Sequence, residues 1–409
     1  MDTLYGKWQT GLLQSFRQVQ DEAADKVVAH FETHEGPHAV TRIFHQMVDN
    51  RAITNIQEPV LAEYFQNHAK LPDWADPEKI KLAGEVYERN GLLVSTVLMC
   101  NSLPMCYACG YGSHILWLTG RLDLTSAGVD PLVRRVMQTA QFVVDNKVIN
   151  AYEPDGHGFA SALKVRLIHA TIRYLVRSMI DSGEWDTEKL GPVPDLNEIG
   201  APINQEDLAG TLMSFGYVIL KGLEMLGVHL TNEEKEAWVH QTNIIGHLIG
   251  IKAELLPENY EDARDLTNSI LAHQGRTSIY GQELTKALTT MMTELTPGKV
   301  LDHYPFFMMS KFLDFYEQET ALDLHKMIGL PHHSSLKDKI IFGLSKLATR
   351  VYDEVGNHFG LANTLFEHFN VNLLNRLIRH FDDGMRAQFK IPEHLRQSWG
   401  IGEEDHVLH

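Results

Sequence analysis

The chain is poor in cysteine: only Cys100, Cys106 and Cys109 occur, close together. An odd, clustered number of thiols does not build a disulfide framework. Cys106-Tyr-Ala-Cys109 has C-x-x-C spacing, but no second pair exists and no βαβ pattern surrounds it. Buried, inert thiols are therefore expected. Positive charge is also scarce: 36 Lys and Arg stand against 53 Asp and Glu, a net charge of −17. That balance excludes nucleic acid and anionic membrane surfaces as main partners, since both select basic patches. Phosphate-cradling loops are missing, because Gly156-His-Gly158 is too short and no lysine follows it. No G-x-S-x-G elbow is present. Alternating β-branched runs are few, and there is no internal repeat or low-complexity tract. The opening Met-Asp-Thr-Leu-Tyr-Gly-Lys-Trp lacks a charged segment followed by an apolar run, so no secretory or twin-arginine signal is expected. A reducing cytoplasm is the expected compartment.

What is present points to helices. At 409 residues, 44% hydrophobic and 22% charged, the chain can bury a sizeable core. Gly91 to Gly120 contains no Asp, Glu, Lys or Arg. Its continuous apolar part, Gly91 to Cys100, is too short to cross a bilayer, so no transmembrane span is expected. Two buried helices meeting near Pro104 fit better, because charge-free helices belong at the centre of a large helical domain. Asp130-Pro131 predicts a helix start with proline at the first position, running to about Lys147. Asn204 predicts a cap for a helix through Met213, Tyr217 and Leu220, ended by Gly227. Thr231-Asn-Glu-Glu234 has the form of a capping box before Trp238 to Leu248. Residues 259–295 and 335–385 also read as helical, and the tail beyond Pro392 as loosely ordered. Three regions are expected: an N-terminal helical extension over 1–89, a core over 90–330, and a C-terminal extension and tail over 331–409.

The stretch most informative about chemistry is Lys164-Val165-Arg166-Leu167-Ile168-His169-Ala170-Thr171-Ile172-Arg173. At about 100° per residue, Val165, Ile172 and Val176 share a side with His169, and Arg166 and Arg173 lie on one flank. An imidazole on an apolar wall beside two cations suits a haem, with nitrogen to iron and arginines to propionates. The alternative is a core histidine bonded to a carbonyl, with arginines that snorkel to solvent.

Other clusters are weaker. His240 and His247 lie near one face of a helix and, with His169, would make a three-histidine metal site, though no H-E-x-x-H signature supports it. His332-His333 follows Pro331 and reads as an exposed loop. Met308-Met309 with Phe306-Phe307 reads as core, or as the lining of an apolar substrate cavity.

Several ordered motifs together resemble the family of latex-clearing proteins (rubber oxygenases) and fungal MpaB oxygenases. They are Leu118-Thr-Gly-Arg-Leu122, Arg134-Arg-Val-Met-Gln-Thr139, Val165-Arg-Leu-Ile-His-Ala170, Asn204-Gln-Glu-Asp-Leu208, Trp238-Val-His-Gln-Thr-Asn-Ile-Ile-Gly246 and Gly250-Ile-Lys-Ala-Glu-Leu-Leu-Pro257. The resemblance covers roughly residues 90–330. It implies an all-α, globin-like core holding one haem b, with His169 as axial ligand to the iron and dioxygen as co-substrate. Arg135 and Thr139 match the arginine and threonine of the family's haem pocket, and their i, i+4 spacing fits a shared site, with Phe142 continuing the stripe. Arg135, Arg166 and Arg173 would neutralise propionates or orient polar groups, and Thr139 would donate a hydrogen bond. The expected activity is oxidative attack on an apolar or unsaturated, isoprenoid-like substrate, most specifically cleavage of a carbon–carbon double bond into two carbonyls. A haem-binding sensor or carrier without turnover, and a non-haem metal-binding or structural protein, are the alternatives.

The chain departs from the family pattern at Gln138. Latex-clearing proteins have a lysine there that can bind the iron on its open side, and a neutral amide is a poor ligand by comparison. A lysine-closed resting state is thus not expected. The open side falls to water, oxygen or another side chain, with His114 a candidate. Asp123, Asp145 and Glu153 are the candidates for the carboxylate base, none marked by a motif. Rubber itself is a doubtful substrate, because polyisoprene cannot enter a cell.

Overall fold

The structure, a computed structural model, describes residues 3–34, 47, 49–121, 131–295 and 304–358. Among these the fold is all-α apart from a two-stranded antiparallel hairpin, Thr3–Tyr5 with Trp8–Gln9. The charge-free segment forms the middle. Helix Pro77–Val97 continues through a π-helical turn, Leu98–Ser102, into Leu103–Ala108. Pro104 therefore does not separate two helices, as the sequence suggested. The π turn lets the axis run on past the proline's missing N–H. The break falls instead at Cys109, where ψ is 84°, and helix Gly110–Arg121 follows. Pro77–Ala108 is long and apolar enough to cross a membrane by length and composition, but 61% of its most apolar window is buried inside the protein. That is the environment of a core helix.

The remaining helices wrap this centre. Asn232–Leu248 packs along Pro77–Val97. Its start is the expected capping box, with Thr231 Oγ1 accepting from the Glu234 N–H at 3.2 Å and Glu234 Oε2 from the Thr231 N–H at 2.8 Å. Asn204 caps helix Gln205–Phe215 as expected, accepting from the Asp207 N–H at 3.0 Å. The predicted single helix to Gly227 is broken at Gly216, and Tyr217–Met225 is a separate element. Helix Pro131–Lys147 starts at the expected proline. Residues 259–295 form two helices, Tyr260–Gln274 and Ile279–Leu295, and Leu336–His358 is helical. The tail beyond Pro392 lies outside the described residues.

The long helix Gly158–Ser182 carries His169 and ends at Gly183 in the left-handed conformation. It packs against Pro131–Lys147 on one side and Glu22–His34 on the other. The second contact is fastened by charge. Arg166 donates to both oxygens of Asp21, at 2.5 and 2.8 Å, and Arg173 Nε donates to Asp25 at 2.7 Å. All but Asp25 are nearly excluded from solvent. Gly250, at φ +87°, lies over the first pair, and a Cβ there would collide with Asp21 Oδ2 and Arg166 Nε. The 250–257 motif thus needs glycine at its head for both conformation and space.

Candidate active site

A cavity of about 600 Å³ lies among the helices Gly110–Arg121, Pro131–Lys147, Gly158–Ser182, Gln205–Phe215, Tyr260–Gln274 and Ile279–Leu295. This is within the range of roughly 300–1,000 Å³ usual for small-molecule sites. Ile115, Leu116, Phe142, Val165, Ile168 and Ile172 make much of its wall apolar. Four of the sequence-selected residues meet there: His169, Arg135, Gln138 and Thr139 all line it.

His169 reaches the wall because the helix periodicity puts it between Val165 and Ile172, as the spacing predicts. Its Nδ1 is buried without a hydrogen-bond partner, so the carbonyl-bonded core histidine weighed from sequence is not what forms at this atom. Burial, then the nearby charges of Arg173 and Arg135, lower its pKa to about 3. The imidazole is neutral at physiological pH, which is the form that ligates a metal.

Arg135 donates to the Leu116 carbonyl at 3.0 Å and to Thr119 Oγ1 at 2.6 Å, which fastens its helix to Gly110–Arg121. It is the lining residue, among those described, with a permanent positive charge. Thr139 Oγ1 donates back to the Arg135 carbonyl at 2.9 Å, the usual resting bond of a helical threonine. Gln138 is buried at the same wall, so the site presents an amide where the related family has an amine.

Other expectations are corrected. Arg166 and Arg173 do not line the cavity, because Asp21 and Asp25 draw them to the opposite flank of the helix. They are therefore not propionate partners. His114 is not a lining residue either. It stacks on Tyr280 with ring centroids 3.9 Å apart, and burial lowers its pKa to about 4. His240 accepts from the Asp76 N–H at 2.9 Å, and both His240 and His247 meet Trp74 edge-on, so neither joins His169 in a metal site. Asp145 is buried outside the lining and accepts from Gln141 at 2.7 Å, and Glu153 sits exposed on a turn. Asp123 lies outside the described residues. Phe307, Met308 and Met309 are core and do not reach the cavity. Cys106 and Cys109 do line it, and burial raises both thiols, which keeps them protonated and inert.

The carboxylates on the wall are Asp207 and Glu283, neither singled out from sequence. Glu283 Oε2 accepts from Trp117 Nε1 at 2.5 Å. Asp207 accepts from Arg17 at 3.1 Å and Asn204 at 2.8 Å, and burial raises its pKa. Asp207 had a signal, since it stands in the Asn204-Gln-Glu-Asp motif, every member of which is engaged. Gln205 clamps Gly250 and Lys252, while Glu206 pairs with Arg17 at 2.9 Å and His273 at 2.6 Å. Glu283 had none.

Comparison with known proteins agrees with this geometry. The family model for the catalytic domain of ER-bound oxygenase mpaB/B' and rubber oxygenase matches residues 103–344. A rubber oxygenase of Streptomyces sp. (strain K30) is 25% identical over 294 residues, which span 71% of this chain and 67% of that protein. The solved structure of a latex clearing protein in its closed state superposes with a TM-score of 0.67, covering 92% of this chain and 94% of that one at 21% identity. The last likeness is one of fold.

Proposed function

We propose that this chain, which belongs to the MpaB/rubber oxygenase catalytic-domain family, is a haem b-dependent oxygenase that cleaves a carbon–carbon double bond in an apolar, isoprenoid-like substrate. The observation that carries the cofactor is His169: a neutral imidazole on the wall of a largely apolar cavity, beside Arg135 and Thr139. An imidazole so placed would serve as a ligand to iron, and a haem suits the largely apolar wall. Haem, when bound, supplies the redox chemistry that lets dioxygen react with an alkene.

The chain's own residues do the rest. His169 would hold the iron. Arg135 would offset a propionate or steady a polar substrate group, because it carries the permanent positive charge on the described lining. Thr139 Oγ1 would turn from its own helix carbonyl to donate a hydrogen bond into the pocket. Gln138 offers no amine, so the open side is left to water or oxygen. Glu283 or Asp207 would accept a substrate proton, Glu283 from beside Trp117 and Asp207 from its place between Arg17 and Asn204. The apolar helices keep water from the reacting carbons.

The ultraviolet–visible spectrum of the protein, expressed with haem supplied, tests this directly. A Soret band that shifts with dithionite and then with carbon monoxide is expected, together with oxygen uptake when a short polyisoprenoid alkene is added. A colourless protein at full haem supply would overturn the cofactor. A haem protein that consumes no oxygen with any unsaturated terpenoid or lipid would leave the sensor or carrier reading in its place.

A further inference from the structure

We propose that Asp314, His325 and His332 form a binding site for one divalent cation of the zinc type, separate from the cavity. None of the three lines that cavity. Helix Tyr304–Thr320 supplies Asp314, and helix Leu324–Ile328 supplies His325. The chain then reverses through Gly329, at φ +69°, and Pro331. That reversal lays the ring of His332 on the ring of His325, with centroids 3.7 Å apart. Asp314 Oδ1 lies 3.9 Å from His325 Nε2 and 3.7 Å from His332 Nδ1. One donor atom from each residue falls within 4.8 Å of the others.

The surroundings are those of a ligand set. Glu317 Oε1 lies 3.0 Å from His325 Nδ1 and also accepts the His325 backbone N–H at 3.0 Å. This fixes the tautomer with the proton on Nδ1 and leaves the Nε2 lone pair on the side of Ser310 and Asp314, the carboxylate–histidine–metal arrangement. Lys311 holds the other oxygen of Asp314, Oδ2, at 2.9 Å and leaves Oδ1 to face the two imidazoles. Ser310 Oγ lies 2.8 Å from His325 Nε2 and accepts the His333 N–H at 3.0 Å, so its hydroxyl proton is the competitor for that lone pair.

The donor chemistry selects the ion. Two imidazoles and a carboxylate without thiolate suit Zn²⁺, and three protein ligands leave a fourth position for water. Zinc–ligand bonds of about 2.0–2.1 Å put tetrahedral donors roughly 3.3 Å apart. The two carboxylate–imidazole separations need to close by about half an ångström, and the His332 ring must swing off its stack on His325 to converge on the ion, which its 67% exposed side chain allows. The ion would tie two helices to the segment that leads into Leu336–His358, and would pin the start of that helix.

Isothermal titration of the full chain with zinc chloride, after treatment with a chelator, tests the site. Saturable binding of one ion per chain is expected, weakened about tenfold or more by His332→Gln and by Asp314→Asn. Zinc should raise the melting temperature of the unaltered protein and not that of His332→Gln, whose exposed position leaves folding intact. Ser310→Ala removes the competing hydroxyl and should bind zinc at least as tightly. The proposal is overturned if no saturable binding occurs, or if both ligand variants bind as the unaltered chain does, which would place the ion among the other histidines. Loss of binding in Ser310→Ala would overturn His325 Nε2 as the donor.

Discussion

The helix Gly158–Ser182 has two unlike sides. Toward Glu22–His34 its cations are paired: Arg166 and Arg173 each find a carboxylate, and the Asp21 pair is bidentate. Toward the cavity its one polar group, His169, has a buried nitrogen with no partner, among apolar neighbours. The same few residues thus carry a fastening on one side and a cavity-wall imidazole on the other, one turn apart. Buried ionic groups that are paired hold a fold in register, whereas a neutral imidazole on an apolar cavity wall is placed to serve a ligand.

The largest effect separating the two sides should come from His169→Ala. It should abolish haem retention while the apoprotein stays folded, since His169 Nδ1 makes no hydrogen bond for the substitution to break. His240→Ala, which touches Trp74 and the Asp76 N–H instead, should keep haem. The haem-to-protein absorbance ratio after gel filtration reads both. If His169→Ala keeps its Soret band, His169 is not the residue that holds the iron.

The saturated side should fail differently. Asp21→Asn leaves Arg166 buried with its negative partner gone, and breaking a buried pair in this way costs about 3–5 kcal/mol. We expect a large drop in the urea midpoint, with the Soret position unchanged in the fraction that remains folded. Equal loss of stability in His169→Ala and Asp21→Asn apoproteins would erase the distinction.

How much of this was legible in the sequence follows from the range of the interactions. Caps are local, so Asn204 and the Thr231–Glu234 box were readable, and helix spacing alone put His169 between Val165 and Ile172. The meeting of His169 with Arg135, Gln138 and Thr139 came from the family resemblance, because nothing in a single chain says which helices face each other. Arg166 and Arg173 were misread for the same reason. Spacing showed that they share a flank, but their partners lie 145 and 148 residues away. A signal did exist: Asp21 and Asp25, four apart on a helical segment, answer two arginines seven apart on another. Pro104 misled because the sequence rule assumes a regular helix, and the π turn before it is a local exception. Glu283 reaches the cavity through packing alone and left no local trace.

The smallest expected effect is a pH dependence that belongs to the unsatisfied side. In the folded apoprotein His169 resists protonation down to about pH 3, mainly because of burial. In the unfolded chain the same group titrates near 6.5. Between these values the unfolded state binds a proton that the folded state refuses, so stability falls with acidification by up to about 1.4 kcal/mol per pH unit from this residue. Above pH 6.5 both states are neutral and the group contributes no slope. His68 and His114, lowered to about 4 mainly by burial, act in the same direction. Urea midpoints of the apoprotein at pH 7.5 and 5.5, measured beside a His169→Leu variant, isolate the one residue. The variant should lose less stability over that interval than the unaltered chain, by no more than about 1.4 kcal/mol, since only one unit of it lies below 6.5. Equal slopes would mean that His169 takes up its proton in the fold, and that the cavity wall is wetter than its apolar lining implies.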